Sequence, residues 1–325
     1  MVRFIVRRLI TIPLALILVS VAAYAYAHTV QWEYAGRYGQ LYMHLRAIGR
    51  PEDLSEALPA YIEGLAHGDI GQLRNGQPLE EILVPALGAS LGLLGAALAL
   101  SVPLGIILGI LAAHWRRLRP ARWLLVISTG GMAMPSFYIG SLLILMSVAY
   151  ALTFRGHRLP FPMAGFGWDE HMVFPLIALM VRPTVQVAQV TGTLLTHELQ
   201  KIYVSAARSL GYTWRVIKRR LAFRNILAQV VMTIAGSLRT LIADLVLVEW
   251  LFFWPGIGRF LAYALIPEAR TNMASSPYLL HPEFITAILA CITLGFLLAD
   301  FAASVLVRIF DPRLRVPASG EVGNV

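Results

Sequence analysis

The chain has 325 residues, of which 58% are hydrophobic and 14% charged, with a mean hydropathy of +0.67. Soluble domains carry roughly 25% charged residues, and so apolar a surface would associate in water, so a soluble globular protein is excluded and an integral membrane protein is expected. The formal net charge of +9 does not indicate nucleic acid, because the basic residues stand in short clusters beside apolar runs, where positive charge sets membrane topology.

A spanning helix needs about 20 mostly apolar residues. Six segments qualify, at about 9–27, 82–113, 123–152, 172–195, 226–251 and 284–307. The first follows Arg7-Arg8, and "AYA" at 25–27 resembles a signal-peptidase site. Its apolar run is longer than the roughly 7–15 residues of a signal core, so it is expected to remain as an anchor. With the N-terminus inside, the inner segments hold 17 of the 27 Lys and Arg residues and the outer ones 8. The fold expected is therefore all-α, with six transmembrane helices and both termini cytoplasmic. Residues 1–28 form the first helix, 29–81 an extracytoplasmic segment with short helices, 82–312 a five-helix core, and 313–325 a cytoplasmic tail. The single cysteine, Cys291, allows no intrachain disulfide, and the eight histidines show no metal-ligand spacing.

Span three is interrupted by Met132, Met134, Pro135, Ser136, Phe137 and Tyr138. Pro135 removes a backbone donor and is expected to kink the helix. The adaptable Met side chains suit either a pore lining or ordinary packing. Charge inside a membrane is costly and marks either a polar path or an interhelical pair. Arg182, Arg239, Asp244 and Asp300 lie within spans, and Glu249 near the outer end of span five. Arg239 and Asp244 are five apart on one helix, so each is expected to find its partner on another helix. After span five, "WPGIG" at 254–258 reads as a turn, with Trp250 and Trp254 expected at the membrane interface.

Between spans four and five lies "YVSAARSLGYTWRVIKRRLAFRNIL" (203–227), with six basic residues and no acid. Tyr203, Ala207 and Leu210 recur as one helical stripe. Gly211 sits where a left-handed cap would fall, and Thr213 is placed to cap a second helix whose stripe is Trp214, Ile217 and Leu221. A lipid-bound helix, a nucleic-acid binder and a knob docking into a cytoplasmic partner would all carry this charge. The small pair Ala206-Ala207 before Gly211 favours docking.

This stretch resembles the coupling loop of ABC-importer permeases: Tyr203, the pair Ala206-Ala207, Arg208, Gly211 and Arg224-Asn225 match the family pattern. "RFIVRRLITIPLAL", "GDIG" followed by "QPLEEILVPALGASLGLL", "MPSFYIG", "VEWLFFWPGIGRFL" and "DPRLR" resemble other motifs of the dipeptide, oligopeptide and nickel permeases, in order over most of the chain. The long first outer segment resembles the first permease subunit of such systems.

The resemblance implies a type I importer permease architecture, in which this chain pairs with a second permease, two cytoplasmic ATPase subunits and an extracytoplasmic solute-binding protein. ATP and Mg would belong to the ATPases; this chain has no GxxxxGK[ST] loop, no expected cofactor or metal, and no expected enzymatic activity of its own. The loop 197–225 would carry the coupling residues Tyr203, Ala206, Ala207, Arg208, Gly211, Arg224 and Asn225. Met134, Pro135, Ser136, Arg239, Asp244, Glu249 and Asp300 would be candidates for the translocation path, and Trp254, Pro255, Gly256 and Gly258 for an outer gate. The chain departs from the pattern in four places: Ser205 stands nearest the Glu that marks the loop, Leu210 replaces a basic residue before Gly211, Gln189 and Gly192 stand where arginines occur, and Ala243-Asp244 replaces a glycine pair. A stand-alone secondary transporter or channel is the alternative. It would show inverted repeats or paired broken helices, and a membrane enzyme would show a catalytic cluster; the sequence shows neither.

Overall fold

A computed structural model describes residues 2–37, 54–73, 75–115, 119–154, 161–266 and 278–310. The "DPRLR" motif and the tail from 313 lie outside the described residues. The elements in chain order are α1 (Val2–Arg37), α2 (Leu54–Ala66), α3 (Glu80–Ala112), α4 (Arg122–Ala133), α5 (Ser136–Thr153), a 3-10 turn (Glu170–Met172) and α6 (Val173–Glu198). There follow α7 (Ile202–Ser209), α8 (Trp214–Val216), a π-helical turn (Ile217–Ala222), α9 (Phe223–Leu251), α10 (Ile257–Leu265) and α11 (Pro282–Phe310). Six stretches are long and apolar enough to cross a membrane: Ile10–Gln31, Glu80–Ala112, Ser136–Thr153, Glu170–Glu198, Trp214–Leu251 and Pro282–Leu306. The all-α, six-span expectation holds.

Two spans differ from the sequence expectation. Span three is a break rather than a kink. Met134 is extended (φ −91°, ψ 119°), and Pro135, also extended, caps α5 from outside. With no N–H on Pro135, α4 cannot propagate through it, while the fixed proline φ suits the residue that starts a new helix. Only α5, the second half, qualifies as a span. Span five is longer than expected. The basic stretch is not a separate surface helix, because nothing after Thr213 stops helix growth and Trp214–Leu251 runs on through the π turn.

The chain forms two compact units. The first comprises residues 1–93, 159–172 and 245–297. Here Tyr24 of α1 stacks on Tyr61 of α2 at 4.3 Å between centroids. Burial holds the Tyr61 phenol above its ordinary pKa. "AYA" at 25–27 lies inside helix α1, with Ala27 buried in a cluster with Leu79, Leu83, Phe284 and Ile288.

The second unit comprises residues 94–158, 173–244 and 298–325. Its α3 and α6 pack through small residues. A Cβ on Gly105 would stand 2.7 Å from the Thr184 carbonyl oxygen, and one on Gly109 2.7 Å from that of Ala188. "GIILG" (105–109) is thus a small-xxx-small contact, the means by which helix backbones approach closely where lipid removes the hydrophobic drive. Lys218 of the π turn donates from Nζ to the carbonyls of Ala113 (2.6 Å) and Ile110 (3.3 Å), closing the end of α3.

Candidate functional site

The coupling region is built from the end of α6, the short α7 and the start of the α8–α9 rod. Glu198, 6% exposed, ends α6 and collects three donors: Lys201 Nζ at 2.7 Å, Asn225 Nδ2 at 2.9 Å and Tyr203 Oη at 3.0 Å. Asn225 Nδ2 also donates to Tyr203 Oη at 3.3 Å. Two of the sequence-derived residues, Tyr203 and Asn225, therefore meet on a carboxylate that the sequence reading did not single out. Burial and the adjacent Glu198 carboxylate push the Tyr203 phenol up to about 12.

Gly211 follows α7 at φ +87° and turns the chain, with the Tyr212 N–H reaching back to the Ala207 carbonyl at 3.1 Å. Arg208 folds inward across this turn: Nη1 donates to the Tyr212 carbonyl at 2.8 Å, and the guanidinium lies 4.9 Å over the Trp214 ring. Thr213 holds the cap position of α8, but its side chain makes no capping bond.

The buried stripes differ from those expected. On α7, Val204 and Ala207 are buried and Leu210 is 78% exposed, because the chain leaves helical geometry at Leu210. On the rod, Ile217, Ala222, Ile226 and Val230 are buried while Leu221 lies outward. The π turn inserts one residue, so the fifth residue after Ile217 takes the place that the fourth would hold in an α-helix. What α7 leaves exposed is a continuous face of Ile202 (88%), Ser205, Ala206, Ser209 and Leu210. Arg224 is also exposed.

A second cluster lies at membrane depth in the same unit. Asp244 Oδ2 on α9 accepts from Ser136 Oγ at 2.6 Å, where α5 begins, and faces Arg182 Nη1 of α6 at 3.6 Å. One turn along α6, Gln186 Oε1 accepts from Ser237 Oγ of α9 at 3.1 Å. Arg239 pairs with Asp300 of α11. The intramembrane charges are thus matched across helices, as the five-residue spacing on α9 required. Two interruptions border this cluster: the Met134-Pro135 break, and Pro183 inside α6, which deprives the Leu179 carbonyl of its helical donor. Met134, Phe137 and Tyr138 are 41%, 45% and 47% exposed.

The turn after α9, in the first unit, is held by Glu249. This fully buried carboxyl accepts from Ser90 Oγ at 2.6 Å through Oε1 and from the Gly258 N–H at 2.7 Å through Oε2, while Ser90 Oγ accepts the Ile257 N–H at 2.9 Å. A Cβ at Gly256 would overlap the Glu249 carboxyl, and one at Gly258 the Val246 backbone. Pro255 carries the chain between them, half-buried. Glu249 faces no open path; it is enclosed as a latch. Trp254 is likewise fully buried rather than interfacial. Its indole donates to the Ala89 carbonyl at 3.1 Å and packs edge-on against Phe166 and Trp168. The polar indole nitrogen finds its partner inside, so it does not need the membrane interface. Trp250, 47% exposed, keeps the expected place.

Six apolar spans, matched charges within them and a polar-anchored short helix between two of them define a polytopic helical membrane protein with a presented docking element. The family of binding-protein-dependent transport system inner membrane components matches residues 105–316, about two-thirds of the chain, and the chain belongs to that family. It is a permease, a multi-pass protein of the inner membrane. The dipeptide transport system permease protein DppB of Escherichia coli is 28% identical over 97% of this chain and 99% of its own. A putative peptide transport system permease protein of Brucella abortus is 27% identical over 82% of each chain. The glutathione transport system permease protein GsiC of Escherichia coli is 25% identical over 97% of this chain and 99% of its own.

Proposed function

We propose that this chain is one permease subunit of an ATP-driven importer for small peptides and peptide-like solutes, forming half of the translocation pathway. The observation that carries the reading is the exposed face of α7. Ile202 and Leu210 are large apolar residues held out at the two ends of a short helix, with the small Ser205, Ala206 and Ser209 between them. Such a face, with apolar ends and a low middle, fits a groove on a protein partner better than a lipid surface, where the apolar residues would form one continuous stripe. The Glu198, Tyr203 and Asn225 contacts make α7 a rigid attachment to α6 and α9, so a force applied to α7 reaches two spans directly. The partner that supplies such a force is a nucleotide-driven ATPase, one beneath each of two permeases. An extracytoplasmic binding protein delivers the solute. The names of the relatives above support peptides as the substrate class.

The test is purification of the chain with whatever co-isolates in mild detergent, followed by reconstitution. Two ATPases, a second permease and ATP-dependent uptake of peptide from a loaded binding protein are expected. Deletion of residues 206–217 should leave the chain inserted and abolish uptake; uptake that survives the deletion refutes the coupling role.

A further inference from the structure

The Arg182–Asp244 pair is incomplete in a way that points to a ligand. A guanidinium has five N–H donors. Among the described residues Arg182 makes no hydrogen bond: the Asp244 oxygen it faces, at 3.6 Å, is too far for one. That oxygen, Oδ2, is already taken at 2.6 Å by Ser136 Oγ, and no contact among the described residues engages Oδ1. Arg182 is the tenth residue of the 26-residue α6, roughly 14 Å from its start, and so near the middle of a hydrocarbon core about 30 Å thick. Its side chain is nevertheless 35% exposed, against 17% for Asp244.

A charged, partly exposed arginine at that depth, with its donors unused, is costly unless it borders a polar path and meets something there. Arg239 differs, because it is in direct contact with Asp300. The surroundings of Arg182 are also those of a site. The helix break at Met134-Pro135 delivers Ser136, and Pro183 interrupts α6 beside the guanidinium.

We propose that Arg182 is a recognition residue for the α-carboxylate of the translocating peptide, with Asp244 and Ser136 as positioning residues. The inference rests on the importer reading above and names the chemistry of its pathway. A carboxylate matches the guanidinium fork with two parallel N–H···O bonds. Asp244 holds the guanidinium in place and balances its charge while the site is empty; Ser136 holds Asp244, so that the Asp does not close fully on the arginine. The loose pair is therefore an exchangeable one. An incoming carboxylate gains the short contacts that Asp244 does not make, and Asp244 Oδ1 remains open to the peptide's own N–H groups.

The test uses the full permease complex in nanodiscs without its binding protein, so that the binding protein's selectivity drops out. Saturation-transfer NMR reads weak binding of alanylalanine and of its C-terminal amide. The free acid is expected to bind about tenfold more strongly than the amide. Arg182→Gln should bring the acid down to the level of the amide, and Arg182→Lys should keep part of the preference. The double variant R182Q/D244N, which leaves no lone charge in the membrane, must lose the preference as well. Equal binding of acid and amide by the unaltered complex, or a preference that survives in R182Q, overturns the proposal. ATP-driven uptake is measured in parallel. A complex that imports peptide yet shows no acid preference refutes the carboxylate site alone, whereas one that neither recruits ATPases nor imports peptide refutes the importer reading and the site with it.

Discussion

Replacing Glu198 by alanine removes the acceptor on which α7 is anchored. Hydrogen bonds to a charged group contribute about 1.5–3 kcal/mol each when well buried. Tyr203 is half-buried and Asn225 exposed, so about 1 kcal/mol each is the better figure here, and they retain their own contact at 3.3 Å. Lys201, 60% exposed, adds nothing dependable, as an exposed ion pair. The variant should therefore weaken the docking of α7 by about 2 kcal/mol, roughly a thirtyfold rise in the undocked population. Hydrogen exchange of the amides at 202–212 measures this directly, and they should exchange about thirtyfold faster while α6 and α9 change little. In the reconstituted importer the ATP consumed per peptide should rise. Glu198→Gln, which keeps the acceptor oxygen, should lie between. Unchanged exchange at 202–212 in Glu198→Ala would refute the idea that this carboxylate holds the helix.

Gly211→Ala places an L side chain at φ +87° with no atom in its way, so its cost is backbone strain alone, about 1–2 kcal/mol; exchange at α7 should speed accordingly, and Gly211→Asn should be milder. Glu249→Ala strands the Ser90 hydroxyl and the Gly258 N–H in a buried place, and a loss of about 3 kcal/mol should show as faster trypsin cleavage at Arg259, with Glu249→Gln intermediate. Tyr203 is held protonated, its pKa raised from 10.0 to about 12, so its contribution is complete below pH 10 and lost as pH rises through about 12. The ultraviolet difference titration between the unaltered protein and Tyr203→Phe should show one phenol ionising near pH 12; ionisation near 10 would contradict the contact with Glu198.

The legible part of this protein was what depends on chain-local chemistry. Length and hydropathy give the six spans, and Gly211 declares its turn because few other residues reach that conformation. The i, i+5 spacing of Arg239 and Asp244 sends each to a different helix, though only the packed structure says which. Pro135 signals an interruption, but whether a helix bends or stops there depends on what α4 and α5 pack against. The Glu198 anchor was missed because it lies seven residues before the Ser205 position where a carboxylate was sought, and folding the turn at 199–201 is what brings it to Tyr203. Trp254 was misplaced because a tryptophan beside a span is ambiguous until Ala89 presents a carbonyl to it.

The six-residue π turn at 217–222 fixes the angular setting of everything after it. An inserted residue rotates the following helix by about 100°. Ile226, Val230, Arg239 and Asp244 all take their facing directions from that one extra residue. Deleting a single residue in 217–222 would restore ordinary pitch and turn the whole of α9 away from its partners, parting Asp244 from Ser136 and Arg239 from Asp300 at once. The rod is in this sense keyed like a shaft. Its sequence downstream tolerates change of side chain far better than change of length, and a deletion here should be lethal to the fold where a conservative substitution at any one of the same six positions is not.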